Sequence, residues 1–114
     1  MRMWMLDPKL MCRKHLLGEH VETHMFLGTF KKKIKVTGYL QNNLLEPRKV
    51  KKRHDQLAKE MLSRDYNHNS PLQLPVKLLA YLGDEVDWVI DEESAQKDLH
   101  ARCLECKRMF EEGG

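Results

Sequence analysis

Apolar side chains recur along this chain at helical spacing in three stretches, and the residues between those stretches mark where each helix stops. From Pro8 to about Phe30 the sequence supports one helix, with Asp7 as its N-cap and Pro8 in its first turn. Met1 to Asp7 reads as an extended segment folded back onto the helices. On a wheel advancing roughly 100° per residue from His15, Glu19 falls at about 40° and Glu22 at about 340°, with Leu17, Val21 and Met25 on the other side. This predicts a helix with one ionisable edge and a broader apolar face.

Gly28 and the lysines after it loosen the end of that helix, and Lys31 to Glu46 reads as a connection in which IKV and GYL leave room for a short strand. A second helix starts at Pro47 and runs to Arg64, with Val50, Leu57, Met61 and Leu62 as its apolar positions. The words YNHNSP, from Tyr66 to Pro71, form a turn-rich break. Leu72, Leu74, Val76, Leu78, Leu79 and Leu82 then predict a short buried helix from near Pro75, stopped by Gly83. A final helix from Asp91 to Phe110 places Leu99, Cys103, Cys106 and Phe110 on one stripe, before Gly113 and Gly114 fray. With no repeat and no long strand pattern, the expected architecture is all-α: a single-domain bundle, residues 1–114, of about three main helices.

Composition narrows the class. At 114 residues with 41% hydrophobic and 32% charged residues, the chain fits one soluble globular domain rather than a disordered segment. No apolar run approaches a membrane span, and Asp7, Pro8 and Lys9 interrupt any signal-peptide core, so a cytoplasmic protein is expected. The net charge of +3 conceals a segregation. Lys31, Lys32, Lys33, Lys35, Arg48, Lys49, Lys51, Lys52 and Arg53 oppose only Glu46, so that segment is +8 and the rest of the chain sums to −5. Six acids and no base lie between Asp84 and Glu93. A molecule with one basic side orients a polyanion.

Candidate chemistry falls in three groups. The odd number of cysteines argues against a disulfide scaffold. His100, Cys103 and Cys106, with Cys12 as a possible fourth ligand, raise a metal reading. However, structural zinc sites usually take a CxxC pair from a turn rather than from mid-helix, so reduced, buried thiols are the default. HVETH, from His20 to His24, also invites zinc, but Glu22 projects away from both histidines and a third ligand is missing, so these residues read as packed against Leu16, Leu17 and Leu27. His54 reads as a satisfied core histidine. The third group is His15, Glu19 and Glu22, an edge that is either a solvated face or an acid/base site.

The words CRKHLLGEH at Cys12 to His20 and SRDYNHNSPL at Ser63 to Leu72 resemble the phage-type pyrimidine-dimer DNA glycosylase family, also called endonuclease V, and its small bacterial members. DEESAQKDLHARCLECKR near the C-terminus is similar too, so the likeness covers most of the chain. The resemblance implies that an N-terminal α-amine is the nucleophile. It places Met1 at that position, Arg2 at a DNA-contacting arginine, His15 at an active-site histidine and Glu22 at the catalytic glutamate. Bulky Arg2 keeps Met1 from being removed, so the amine belongs to Met1 itself. An α-amine of pKa about 7.7–8.0 is roughly one-third unprotonated near pH 7.5, against roughly 0.1% for a lysine at about 10.4. That difference explains the use of an N-terminus.

The implied activity is base excision followed by abasic-site cleavage through an imine, with no metal or organic cofactor. The implied partner is damaged double-stranded DNA, engaged by a monomer whose Lys31 to Arg53 segment meets the phosphates. Two departures stand out. Val21 and Met25 replace arginines that flank the catalytic glutamate in the phage enzyme, and the phage enzyme's aromatic C-terminal tail is absent, so the lesion stays open. Two other readings compete: a non-enzymatic helical module that binds nucleic acid through its basic side, and a zinc-stabilised interaction domain.

Overall fold

Proline, caps and left-handed residues divide the chain close to where its apolar periodicity lapses. The computed structural model describes residues 1–67 and 70–113. Among them there are helices and no strand. The helices are α1 (Arg13–Lys31), α2 (Thr37–Gln41), α3 (Val50–Ser63), α4 (Glu92–Arg102) and α5 (Leu104–Gly113), with 3-10 turns at Pro8–Leu10, Pro47–Lys49 and Val76–Asp87. The all-α expectation holds, and the chain forms one bundle. In the connection from Lys31 to Glu46, where IKV and GYL left room for a short strand, the GYL residues lie in α2.

The first predicted helix is interrupted. Asp7 caps only the 3-10 turn, accepting from the Lys9 backbone N–H at 3.0 Å, and Cys12 is extended (φ −69°, ψ 163°) where α1 starts afresh. At its far end α1 runs past Gly28. It closes with Lys33 at φ 55°, where the Lys33 N–H bonds to Phe30 O and the Ile34 N–H to Thr29 O. These two bonds satisfy carbonyls that the helix end would otherwise orphan. Gly83 (φ 58°, ψ −133°) splits the 3-10 stretch Val76–Asp87, a conformation that side chains with a Cβ rarely adopt. The break expected from Tyr66 to Pro71 includes His68 and Asn69, which lie outside the described residues, as does Gly114.

Helices α1 and α3 pack most extensively on one another. The buried arc of α1 carries Leu16, Glu19, His20, Thr23, Phe26, Thr29 and Phe30. Val21 and Met25, predicted on the apolar face, are 56% and 48% exposed. The wheel misjudged which arc is covered: His15 and Glu22 sit at the rim of the buried face, and Glu19, expected beside them on the ionisable edge, lies inside it. Polar residues can occupy that face because α3 supplies partners for them.

The extended N-terminal segment is the third layer. Successive side chains of an extended chain point to opposite sides. Met3 accordingly joins an apolar cluster with Phe26, Phe30, Val36, Leu40 and Val50, while Trp4 joins another with Met11, Leu16, Leu57, Met61 and Leu99. The Met3 N–H donates to Leu44 O at 2.7 Å. Met5 turns the chain at φ 61°, a left-handed conformation uncommon for a residue with a side chain. The N-terminus is thereby tied down on both faces.

Candidate active site

Met1, Arg2, Trp4, Lys14, His15, Gly18, Glu22, Leu44 and Arg102 line one open cavity of about 490 Å³. Each element has a reason to be there. The N-terminal segment delivers Met1 because Met3 and Trp4 are anchored in separate clusters. Helix α1 delivers His15, Gly18 and Glu22 from its rim at spacings of three and four residues, which project along one edge. Gly18 lacks a side chain, so it leaves the middle of that edge open, with nothing within 4 Å of where a Cβ would stand.

Glu22 is half-buried. Its carboxyl is raised above the usual glutamate range chiefly by burial, while the Arg2 backbone N–H and the Met1 ammonium act in the opposite sense. The site therefore places a carboxyl with weakened preference for its charge beside an amine. His15 shifts the other way, its pKa lowered first by burial and then by Lys14. Its Nδ1 lies 3.2 Å from Cys12 Sγ, so Nε2 is the ring's remaining polar atom.

Arg2 is 8% exposed, with its guanidinium 3.6 Å from the centre of the Trp4 ring. Its Nη1 meets Asp98 at 3.5 Å, and burial lowers its pKa. Nε and Nη2 are buried without a hydrogen-bond partner among the described residues. Unsatisfied buried donors on a cation are costly. Arg2 as a residue borders the cavity, while these two nitrogens are themselves closed off from solvent.

The basic segment divides by environment. Lys31, Lys32, Lys33 and Lys35 are exposed at the end of α1. Arg48 pairs with Asp87 at 2.8 Å and Lys51 with Asp55 at 3.0 Å. Lys49 and exposed Lys52 border a different cavity, with Glu46 and Gln56. Arg53 corrects the expectation: it is 2% exposed and holds Glu19, so it offers nothing to a phosphate. Glu19 is corrected with it, since its carboxylate faces the interior rather than the ionisable edge.

Lys14, Trp4 and Arg102 are wall residues that periodicity did not single out. Lys14 had a signal, being adjacent to His15; Arg102 had none, because only the packing of α4 brings it across. Of the histidines, His20 and His54 meet through Nε2 atoms 3.1 Å apart, and His24 packs edge-on to both rings. His54 Nδ1 also lies 2.9 Å from Asp55, and His20, His24 and His54 each bring one ligand atom within 4.8 Å of the others, so His54 stands where the sequence reading found a third ligand missing beside His20 and His24.

With this geometry in place, comparison with known proteins decides the family. The model for pyrimidine dimer DNA glycosylases matches residues 1–74, which carry the N-terminal segment, α1 and α3. The chain belongs to the pyrimidine dimer DNA glycosylase family. No curated protein and no solved structure gives a significant match. Membership makes DNA repair the class of activity and DNA the substrate class. The family match ends before α4 and α5, so Arg102 and the cysteines of the C-terminal segment fall beyond it. Among the described residues, no helix is long and apolar enough to cross a membrane.

Proposed function

We propose that this glycosylase uses the α-amine of Met1 to excise a damaged base and then to cleave the abasic site, acting as a monomer on double-stranded DNA. The observation that carries the reading is the shared cavity of Met1, Glu22 and Arg2: nucleophile, carboxyl and an under-satisfied cation at one opening. The amine's lone pair forms a bond to deoxyribose C1′ as the glycosidic C1′–N bond breaks and the base leaves with a proton. Opening of the C1′–O4′ bond and loss of a proton from nitrogen leave an imine. Removal of a C2′ proton then expels the 3′-phosphate by β-elimination.

Glu22 accepts the amine's proton, opposes the developing positive charge on the sugar and serves the elimination step. His15, through Nε2, holds the opened sugar or a neighbouring phosphate. Arg2 and the exposed Lys31, Lys32, Lys33 and Lys35 hold the backbone, supplying steering and salt dependence rather than sequence reading. Pyrimidine dimers are the proposed lesion, since extrusion is easiest where stacking is already weakened.

Borohydride reduction of untagged protein on abasic-site DNA tests the proposal. A covalent adduct mapped to the Met1 peptide, and lost after N-terminal acetylation, supports it. Salt-sensitive DNA binding without any adduct overturns it in favour of a non-enzymatic binding module.

A further inference from the structure

A second constellation lies behind the cavity wall. Cys12, His15, Cys103 and Cys106 each direct one ligand atom toward a common point, with the four atoms within 4.8 Å of one another. Cys12 Sγ is 3.2 Å from His15 Nδ1 and 3.8 Å from Cys103 Sγ, and Cys106 Sγ is 3.8 Å from His15 Nδ1. Tetrahedral zinc with Zn–S of about 2.3 Å and Zn–N of about 2.0–2.1 Å requires S···S edges of about 3.8 Å and S···N edges of about 3.5 Å. The observed separations straddle those values. A disulfide requires about 2.05 Å between sulfurs, and all three thiols are free.

The backbone around these residues also has the form of a metal site. Sequence had argued against zinc because CxxC looked mid-helical, but the final helix breaks at Cys103, which is extended (φ −134°, ψ 104°) before α5 begins. Cys103 and Cys106 therefore come from a turn and the first helical turn after it. Cys12 and His15 repeat that arrangement at the start of α1. The Cys12 N–H points at Cys106 Sγ at 3.2 Å and the Cys106 N–H at Cys103 Sγ at 3.4 Å. Backbone donors of this kind stabilise thiolates and orient them. His100, the histidine that sequence grouped with these cysteines, instead packs against Phe110 with ring centroids 5.1 Å apart.

We infer that Cys12, His15, Cys103 and Cys106 bind one structural zinc ion that fastens the start of α5 to the start of α1. Binding releases the thiol protons to solvent. Ligation through Nδ1 fixes His15 as the Nε2–H tautomer, making it a hydrogen-bond donor at the cavity and a positioning residue for the wall. The inference is independent of the reaction chemistry proposed above, since its readouts are metal content and ligand spectroscopy.

The test is elemental analysis of untagged protein purified without chelator, together with cobalt(II) substitution. One zinc per chain is expected, with cobalt giving the intense visible bands of a tetrahedral site and thiolate-to-cobalt charge transfer in the near ultraviolet. Cys103→Ser should lose the zinc and His24→Gln should keep it. Thiols of the zinc-loaded wild type should resist Ellman's reagent until a strong chelator is added, a readout that does not depend on any variant folding. Metal-free protein with three freely reactive thiols, or zinc that follows His24 rather than Cys103, overturns the inference.

Discussion

Arg53 holds Glu19 through two nitrogens, at 2.6 and 2.9 Å, and its third nitrogen donates to Leu6 O at 2.6 Å. Both side chains are almost fully buried. The pair joins α1 to α3 and, through Leu6, fixes the segment that carries Met1. Removing one partner leaves the other charge buried and uncompensated, which costs about 3–5 kcal/mol. Glu19→Gln should lower unfolding stability by that amount in urea titrations. A loss under about 1 kcal/mol, the range of exposed pairs, would refute the anchoring role. Because Arg53 is spent on this contact, Arg53→Ala should act on stability rather than on the salt dependence of DNA binding.

Glu22 has the opposite balance of stability and activity. Burial raises its pKa above the unfolded value, so the charged form is disfavoured in the folded protein. The sign follows from linkage: the folded state binds the proton more tightly, so the contribution is favourable below the unfolded pKa and is lost as pH rises through the folded one. At neutral pH the ionised carboxyl therefore weakens the fold. Glu22→Gln should raise the melting temperature at pH 7 relative to wild type, with the gap closing below about pH 4, near the ordinary glutamate value. The same variant should lose about 10²–10⁴-fold in borohydride-trapping rate, the usual weight of an acid/base group. A variant that is both less stable at pH 7 and fully active contradicts this account.

The lysines can be ranked by their neighbours. Lys31, Lys32, Lys33 and Lys35 are exposed near the end of α1, whereas Arg48 is already engaged by Asp87. Each phosphate contact contributes about 0.9 to the slope of log Kobs against log salt. Replacing the four lysines with alanine should therefore flatten the slope by as much as about 3–4, and Arg48→Ala by less than about 1. Equal slopes for wild type and the quadruple variant would remove this patch from the DNA interface.

How much of this was legible in the sequence depends on the range of the forces involved. Pro47 and the spacing of Val50, Leu57 and Met61 located α3, and the N-terminal fold-back and the His15–Glu22 edge were both readable from local pattern and resemblance. The Glu19–Arg53 pair was not, because a wheel gives the direction of a side chain but not what another helix places opposite it. Val21 and Met25 were misread for the same reason: apolar residues mark a buried arc only when something covers it. The break at Cys103 has neither proline nor glycine to announce it, and although the sequence offered Cys12 as a possible partner of Cys103 and Cys106, it set His100 beside them where the fold sets His15. Arg102 reached the cavity wall by the same long-range packing.

Arg2 supplies the last prediction. Its Nε and Nη2 are buried and unpartnered within the described residues, while its plane stacks on Trp4. A purely structural arginine would have those donors satisfied, because leaving them bare costs about 1–3 kcal/mol each. The cost is offset if the guanidinium, which belongs to a residue bordering the cavity but keeps both nitrogens buried in the free protein, shifts to meet a phosphate when DNA arrives. Arg2→Met keeps most of the apolar contact with Trp4 and also keeps a bulky second residue, so Met1 stays in place. The variant should melt no lower than wild type yet bind abasic-site DNA about 10–100-fold more weakly, the weight of a hydrogen bond to a charged group of about 1.5–3 kcal/mol. Fluorescence anisotropy on a short abasic duplex, read beside a melting curve, separates the two effects. Unchanged affinity with a lowered melting temperature would make Arg2 a packing residue and leave the phosphate to Lys14 and Arg102.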